Sequence, residues 1–148
     1  VALAGLVLGG ARAFAAVGLY VLLGLVGLPI FAGYQGGLGV LAMGSAGYLL
    51  SFPFAAALIG VLARPALRRA RKLTTLTTLW LFAAATAGTV LTHLCGIAGM
   101  MLNGQLAFGA ALVADLPFVP GDLVKNAAAA AIAVGIHKAF PDLLRRPR

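Results

Sequence analysis

The sequence has very little negative charge. Among its 148 residues there are three aspartates and no glutamate, against eleven lysines and arginines, and charged residues of both signs make up only 9% of the chain. Hydrophobic residues make up 62%. A soluble domain carries about a quarter of its residues as charged groups, most of them on the surface that faces water. The composition therefore excludes an ordinary soluble protein and predicts that lipid surrounds this chain.

Cysteine is equally scarce. Cys95 is the single cysteine, so the chain has neither a disulfide framework nor a cysteine pattern for zinc. Because Cys95 lies inside an apolar stretch, we interpret it as a small packing residue. The phosphate-binding pattern Gly-x-x-x-x-Gly-Lys-Ser/Thr is also missing, so the chain is not expected to bind ATP through such a loop. No metal and no cofactor are predicted.

Long apolar segments dominate what is present. There are five of them, at residues 1–10, 13–32, 47–63, 74–102 and 122–140. At 1.5 Å per residue, ten residues cover about half of a hydrocarbon core that is ~30 Å thick, so the first segment is short. Val1 is not a natural initiator residue, and we expect that an upstream segment is missing. The pattern predicts an all-α, polytopic helical bundle that forms one integral membrane domain over residues 1–148.

Nine of the eleven positive charges lie in alternate connections between these segments or after the last segment. They are Arg12, then Arg64, Arg68, Arg69, Arg71 and Lys72, then Arg145, Arg146 and Arg148. Positive connections stay in the cytoplasm, so a cytoplasmic C-terminus is predicted, and the connections without lysine or arginine, residues 33–46 and 103–121, are assigned to the outer side. The net charge of +8 thus serves as a topology signal, and nucleic acid is not expected as a partner.

The first outer connection, residues 33–47, is rich in glycine and carries no charge. Glycine permits backbone conformations that other residues avoid and lets the backbone approach a ligand closely. Irregular backbone at membrane depth is tolerated where it is buried in protein or lines a cavity. We predict a re-entrant cap over a site, and the alternative is a flexible surface hairpin.

The second outer connection ends in an acid and a lysine three residues apart. Pro117 and Pro120 stiffen the approach, and Asp122 is predicted to cap the helix that follows it. Lys125 shares a helix face with Asp122, so both groups are expected to point toward the bundle interior. Charged residues within a membrane are costly unless they are used, which makes this pair a candidate ligand site. The alternative is a helix cap that Lys125 merely neutralises.

Four stretches carry a resemblance to a known family. They read LVGLPIFAG at 25–33, GGLG at 36–39, GYLLSFP at 47–53 and PFVPGDLVK at 117–125. In this order they resemble the BioY family, the biotin-binding S components of energy-coupling-factor transporters. The chain departs from the family pattern at residues 43–46, where Met-Gly-Ser-Ala stands in place of the usual Gly-Pro-Thr-Gly.

This resemblance implies a fold and a set of partners. It implies a six-helix S-component bundle in a bacterial cell membrane, with the pocket near the outer face and the five apolar segments as family spans two to six. The implied partners are a transmembrane coupling subunit and two cytoplasmic ATPases, which use the ATP. Small residues at helix spacing are candidates for docking or, as we favour for most, for internal packing. These pairs are Gly5/Gly9, Ala56/Gly60 and Ala84/Gly88.

The resemblance also implies biotin as the transported ligand. Asp122 is expected to accept from a ureido N–H group, and Lys125 to donate to the ureido carbonyl or to the carboxylate of the valerate tail. Tyr48 and Ser45 are expected to add polar contacts, and a close backbone wall is assigned to Gly36, Gly37 and Leu38. The alternatives are an S component for another small vitamin and a structural or assembly membrane protein.

The two histidines do not indicate an enzyme. His93 lies within the fourth apolar segment, and we interpret it as hydrogen-bonded to a neighbouring helix. His137 follows Asp122 by fifteen residues, about 22 Å along a helix, so it cannot share a site with Ser45. Ser45 also lacks the sequence context of a nucleophile elbow. A serine protease within the membrane is therefore not predicted.

Overall fold

The computed structural model describes residues 1–69 and 74–140, apart from the side chains of residues 68 and 69. Seven of the predicted topology signals lie outside the described residues or side chains, namely Arg68, Arg69, Arg71, Lys72, Arg145, Arg146 and Arg148. The described residues form six α-helices: α1 (Ala2–Leu8), α2 (Gly10–Val26), α3 (Ala46–Arg69), α4 (Thr75–Leu102), α5 (Phe108–Asp115) and α6 (Phe118–Ala139).

Glycine sets the limits of the first two helices. Gly9 has φ 78° and separates α1 from α2, while Gly27 has φ 121° and follows the last residue of α2. Both angles lie in the region that favours glycine. The segment predicted over residues 13–32 therefore ends six residues early as a helix. Pro29 lies in the non-helical part of this segment, after the end of α2. Because proline has no N–H group, it could not have continued the hydrogen bonds of the helix.

The connection predicted over residues 103–121 is largely helical. This stretch contains α5 and the first turn of α6, which begins at Phe118 with Pro117 as its N-cap. Asp122 is therefore the fifth residue of α6 and does not cap it. Pro120 fits here because the first four N–H groups of a helix have no partner within it.

Three of the described helices are long and apolar enough to cross a membrane. They are Ala46–Leu67 of α3, α4 and α6, and α2 is a shorter apolar helix. Close approach of small residues packs them together. A Cβ atom on Gly5 would lie 2.7 Å from the carbonyl oxygen of Ala56, and one on Gly60 would collide with the backbone of Gly10. Ala84 is buried, so the candidate docking pairs pack inside the bundle, as we favoured.

A core of mainly small and aliphatic side chains joins α1, α3, α4 and α6. We call it the small-residue core, and its buried members are Leu6, Ile59, Ala63, Leu67, Leu81, Ala84, Ala85, Ala129, Ala130 and Ala133. His137 of α6 is buried beside this core, with its Nε2 atom 3.0 Å from the carbonyl oxygen of Leu6.

The two connections without lysine or arginine meet at one end of the bundle. The Nδ2 group of Asn103, directly after α4, donates to the carbonyl oxygens of Leu41 and Met43 at 2.7 Å and 3.1 Å. The connection from α2 to α3 contains two short 3-10 helices, Ala32–Tyr34 and Leu38–Ala42. The predicted ligand site lies at the end of the bundle where these two connections meet.

Candidate ligand-binding cavity

A cavity of about 780 Å³ lies among α1, α2, α3, α4, α6 and the connection from α2 to α3. This volume falls within the range of roughly 300–1,000 Å³ that is typical of small-molecule pockets. Part of its wall is apolar and aromatic, formed by Tyr20, Phe31, Val40, Leu49, Phe52, Ile59 and Phe118. The cavity is thus large enough for a vitamin-sized ligand and has an apolar surface for its rings and methylene groups.

A chain of five polar side chains, the polar chain, connects four helices at this cavity. The Tyr48 hydroxyl of α3 donates to Oδ1 of Asp115 at 2.5 Å, and the same oxygen lies 2.6 Å from Nδ1 of His93. On its other side, Nε2 of His93 lies 3.2 Å from Oδ2 of Asp122. The chain ends where Nζ of Lys125 donates to Oδ1 of Asp122 at 2.9 Å.

Among the ionisable groups of the polar chain that form ion pairs, the Asp115 carboxylate is the most deeply buried. Its side chain is only 4% exposed, and an unpaired carboxylate at such a position would be very costly. The Tyr48 hydroxyl donates to it, and Nδ1 of His93 lies at hydrogen-bond distance from it. Asp115 therefore holds α3 and α4 to α5 and fixes the orientation of His93.

Glycines allow α3 and α4 to approach closely enough for these contacts. A Cβ atom on Gly47 would collide with the carbonyl oxygen of Cys95, and one on Gly96 would collide with the Tyr48 ring. Cys95 is partly buried, as expected for a packing residue, and it is not a member of the polar chain. The small residues place the Tyr48 ring against α4.

A second polar pair lies one helical turn further along α6. The Nδ2 group of Asn126 donates to Oγ1 of Thr89 at 2.9 Å, and the Thr89 hydroxyl lies 3.3 Å from Oδ1 of Asn126. Asn126 is 3% exposed, and both residues line the cavity. Since four residues correspond to about 6 Å along a helix, this uncharged pair provides polar groups away from Asp122.

Four of the predicted site residues meet at the cavity. Asp122, Lys125, Tyr48 and Ser45 all belong to its lining. The side chain of Asp122 is largely shielded, but that of Lys125 is 77% exposed. The expectation that both charged groups point into the bundle is therefore wrong for Lys125, whose side chain lies at the exposed rim of the cavity.

The other three predicted residues do not belong to the cavity lining. The N–H group of Gly37 donates to the carbonyl oxygen of Gly24 at 2.7 Å, Gly36 packs against the backbone of Leu28, and Leu38 is exposed. These contacts fasten the connection to the end of α2. Neighbouring residues of the same connection line the cavity instead, namely Phe31, Ala32, Gln35 and Val40.

Three polar residues were missed as site residues in the sequence: His93 and Asn126, which line the cavity, and Asp115, which contacts His93. The interpretation of His93 as bonded to a neighbouring helix is confirmed, since Asp115 lies on α5. Its position beside Asp122 had no signal in the spacing, because the two residues lie on separate helices. Asp115 could have been found from the sequence, since it is one of three acids and lies in a stretch that is otherwise uncharged.

The sequence model of the BioY family matches residues 1–142. The chain belongs to the BioY family. One relative, "Biotin transporter BioY" of Rhizobium etli, is 32% identical over 146 residues, covering 99% of this chain and 78% of that protein. Another BioY protein, the biotin transporter of Thermotoga maritima, is 36% identical over 132 residues, covering 89% of this chain and 73% of that protein.

A solved structure has the same BioY fold. It is the S-component for biotin from an ECF-type ABC transporter, and it superposes with a TM-score of 0.80 at 24% identity, over 93% of this chain and 71% of that one. The predicted family and the all-α S-component bundle are thus confirmed. With its apolar helices, this BioY chain is a multi-pass membrane protein. The assignment of its helices to spans two to six stays a prediction.

Proposed function

We propose that this chain is the biotin-binding S component of an ECF transporter and that it captures biotin in the described cavity. The main support for this proposal is that the Asp122–Lys125 pair lines a cavity of about 780 Å³ in a chain of the BioY family. The chain is a transport component and not an enzyme, since its curated relatives are transporters.

The chemical groups of biotin fit the polar side of this cavity. Biotin has a ureido ring with two N–H donors and one carbonyl acceptor, and a tail that ends in a carboxylate. Asp122 accepts from a ureido N–H, and Lys125 binds the ureido carbonyl or the carboxylate. Charge-assisted hydrogen bonds contribute about 1.5 to 3 kcal/mol each. Tyr48 and Ser45 add hydrogen-bonding capacity to the same wall.

The apolar side of the cavity fits the remainder of the ligand. The thiophane ring and the methylene groups of the tail have no polar hydrogen to satisfy, and they gain free energy on leaving water. Phe31 and Val40 come from the connection that follows α2, while Phe52 comes from α3. The glycine-rich connection therefore acts as a cap, and the Gly37 N–H group holds it to α2.

Energy for transport comes from partner proteins in this proposal. A transmembrane coupling subunit and two cytoplasmic ATPases release the captured biotin into a bacterial cell. The site faces outward and the C-terminus is cytoplasmic, in line with the alternation of charged and uncharged connections. Because the small-residue pairs first considered for docking are used inside the bundle, the coupling subunit contacts another face.

A ligand panel tests this proposal directly. The detergent-solubilised protein is heated with biotin, desthiobiotin or thiamine, and the unfolding temperature is measured. A ligand that binds only the folded state raises this temperature, so biotin is expected to give a shift that thiamine does not. A shift with thiamine alone would favour another vitamin. No shift with any of the three would favour the structural or assembly role.

A further inference from the structure

His93 lies between two carboxylates that belong to different helices. Its Nδ1 atom lies 2.6 Å from Asp115 of α5, and its Nε2 atom lies 3.2 Å from Asp122 of α6. An ionised carboxylate only accepts hydrogen bonds, whereas a neutral imidazole has one donor and one acceptor nitrogen. With both carboxylates ionised, both contacts are attractive when both ring nitrogens carry a proton, that is, when the ring is an imidazolium.

The states of the two carboxylates follow from their other partners. Asp115 accepts from the Tyr48 hydroxyl as well as from His93, which suits an ionised group. Asp122 faces the Lys125 ammonium through its other oxygen, which also suits an ionised group. Two aspartates, one histidine and one lysine then sum to zero charge. A neutral sum is what a site inside a membrane requires.

The contact between His93 and Asp122 is electrostatic. Nε2 is buried and lies at ion-pair distance from Oδ2, but the N–H direction does not meet the geometry of a hydrogen bond with that oxygen. The side chain of His93 is 12% exposed, so water screens its charge only weakly. The lone pairs of Oδ2 thus stay available to a ligand donor.

We propose that His93, as an imidazolium held by Asp115, is a positioning residue that orients the Asp122 carboxylate for the ligand. This inference rests on the proposed function, since it concerns the same cavity. Lys125 is then not needed as the sole counter-charge of Asp122. It is free to turn from the exposed rim toward a negatively charged group of the ligand.

Biotin affinities of matched variants test this role. His93→Gln removes the charge and is expected to weaken biotin binding about 10- to 100-fold, the loss of one charge-assisted contact. Asp115→Asn is expected to have a similar effect, because His93 loses its anchor. The double variant should bind no more than about threefold more weakly than the weaker single variant, because both substitutions remove the same effect.

Thr86→Val is the matched control on α4. The Thr86 hydroxyl is buried without a hydrogen-bond partner, and the residue lies outside the cavity lining. Its biotin affinity is expected to stay within about threefold of that of the wild type. The inference is overturned if His93→Gln stays equally close to the wild type, or if the effects of His93→Gln and Asp115→Asn multiply in the double variant.

A spectroscopic measurement on the wild type decides the charge state without ligand, and a variant is needed only to assign the signals. The chain has two histidines, so a ¹⁵N-histidine spectrum contains few ring signals, and the His137→Gln or the His93→Gln variant assigns them. Two protonated ring nitrogens on His93 at about neutral pH are expected. A neutral His93 ring overturns the inference. Lack of biotin binding by the wild type would instead contradict the proposed function and leave this spectrum interpretable.

Discussion

The small-residue core and the polar chain are held together by different forces. In the core, glycine and alanine let helix backbones approach until van der Waals contacts are dense, which is how helices associate in lipid. At the cavity, four helices instead meet through ionisable side chains around Asp115 and Asp122. Such groups are costly in a membrane and are retained where they act. The comparison indicates that the small-residue core is a rigid support and that the polar chain serves ligand binding.

The helix pair α3 and α4 belongs to both parts. Gly88 of α4 packs against Ile59 of the small-residue core, and Gly96, about two turns later, packs against the Tyr48 ring of the polar chain. The same close approach that builds the core therefore sets the position of the hydroxyl that binds Asp115. A substitution that affects only the small-residue core should therefore change stability, and one that affects only the polar chain should change ligand binding.

The largest expected effect is on the approach of α3 to α4. Gly47→Ala adds a Cβ atom that collides with the backbone of Cys95, and backbone cannot move aside as a flexible side chain does. We expect a loss of about 3 kcal/mol in the free energy of unfolding, measured by heating in detergent. Gly18→Ala is the control, because nothing lies within 4 Å of its Cβ position. Equal effects of the two substitutions would contradict this packing account.

A smaller effect is expected at the second polar pair. Thr89→Val leaves the buried amide of Asn126 without its partner, which should lower the free energy of unfolding by about 1 to 2 kcal/mol. The same substitution at Thr86, whose buried hydroxyl has no hydrogen-bond partner, should be neutral or stabilising. Chemical denaturation of both variants distinguishes them. An equal loss of unfolding free energy in the Thr86 variant would show that the Thr89–Asn126 hydrogen bond does not cause the effect.

The smallest effect on stability is expected at the rim. Lys125→Gln removes an exposed ion pair, and such pairs contribute little, so the free energy of unfolding should change by less than about 0.5 kcal/mol. Biotin affinity should nevertheless fall about tenfold or more, since a charged contact to the ligand is lost. A calorimetric titration beside a melting curve gives both values. A large loss of stability with unchanged affinity would place Lys125 in the fold instead of the site.

Much of the fold could be predicted from the sequence because lipid imposes a simple rule on composition. Apolar runs gave α3, α4 and α6, whose predicted and observed limits differ by a few residues at most ends. Helix α5 was missed because Phe108–Asp115 is too short to span a membrane and lies in a connection without lysine or arginine. The start of α6 was misplaced because Pro120 was interpreted as part of a loop, whereas the first turn of a helix tolerates it.

The site could be predicted only in part, for a geometric reason. Asp122 and Lys125 share one helix, so their spacing along the chain reveals that they are neighbours. His93 and Asp115 lie on two other helices, and the sequence carries no information about which of their faces meet. The rarity of acids did point to Asp115, and the same argument that selected Asp122 would have selected it.

The central claim is that Asp122 is the ligand acceptor of the cavity, and the Asp122→Asn variant tests it most directly. Asparagine keeps the shape of the side chain but removes its charge and half of its accepting capacity. Calorimetric titration of the purified wild type and variant with biotin is expected to show at least about a hundredfold loss of affinity, with the unfolding temperature of the ligand-free protein little changed. Unchanged affinity in a folded variant would contradict the account.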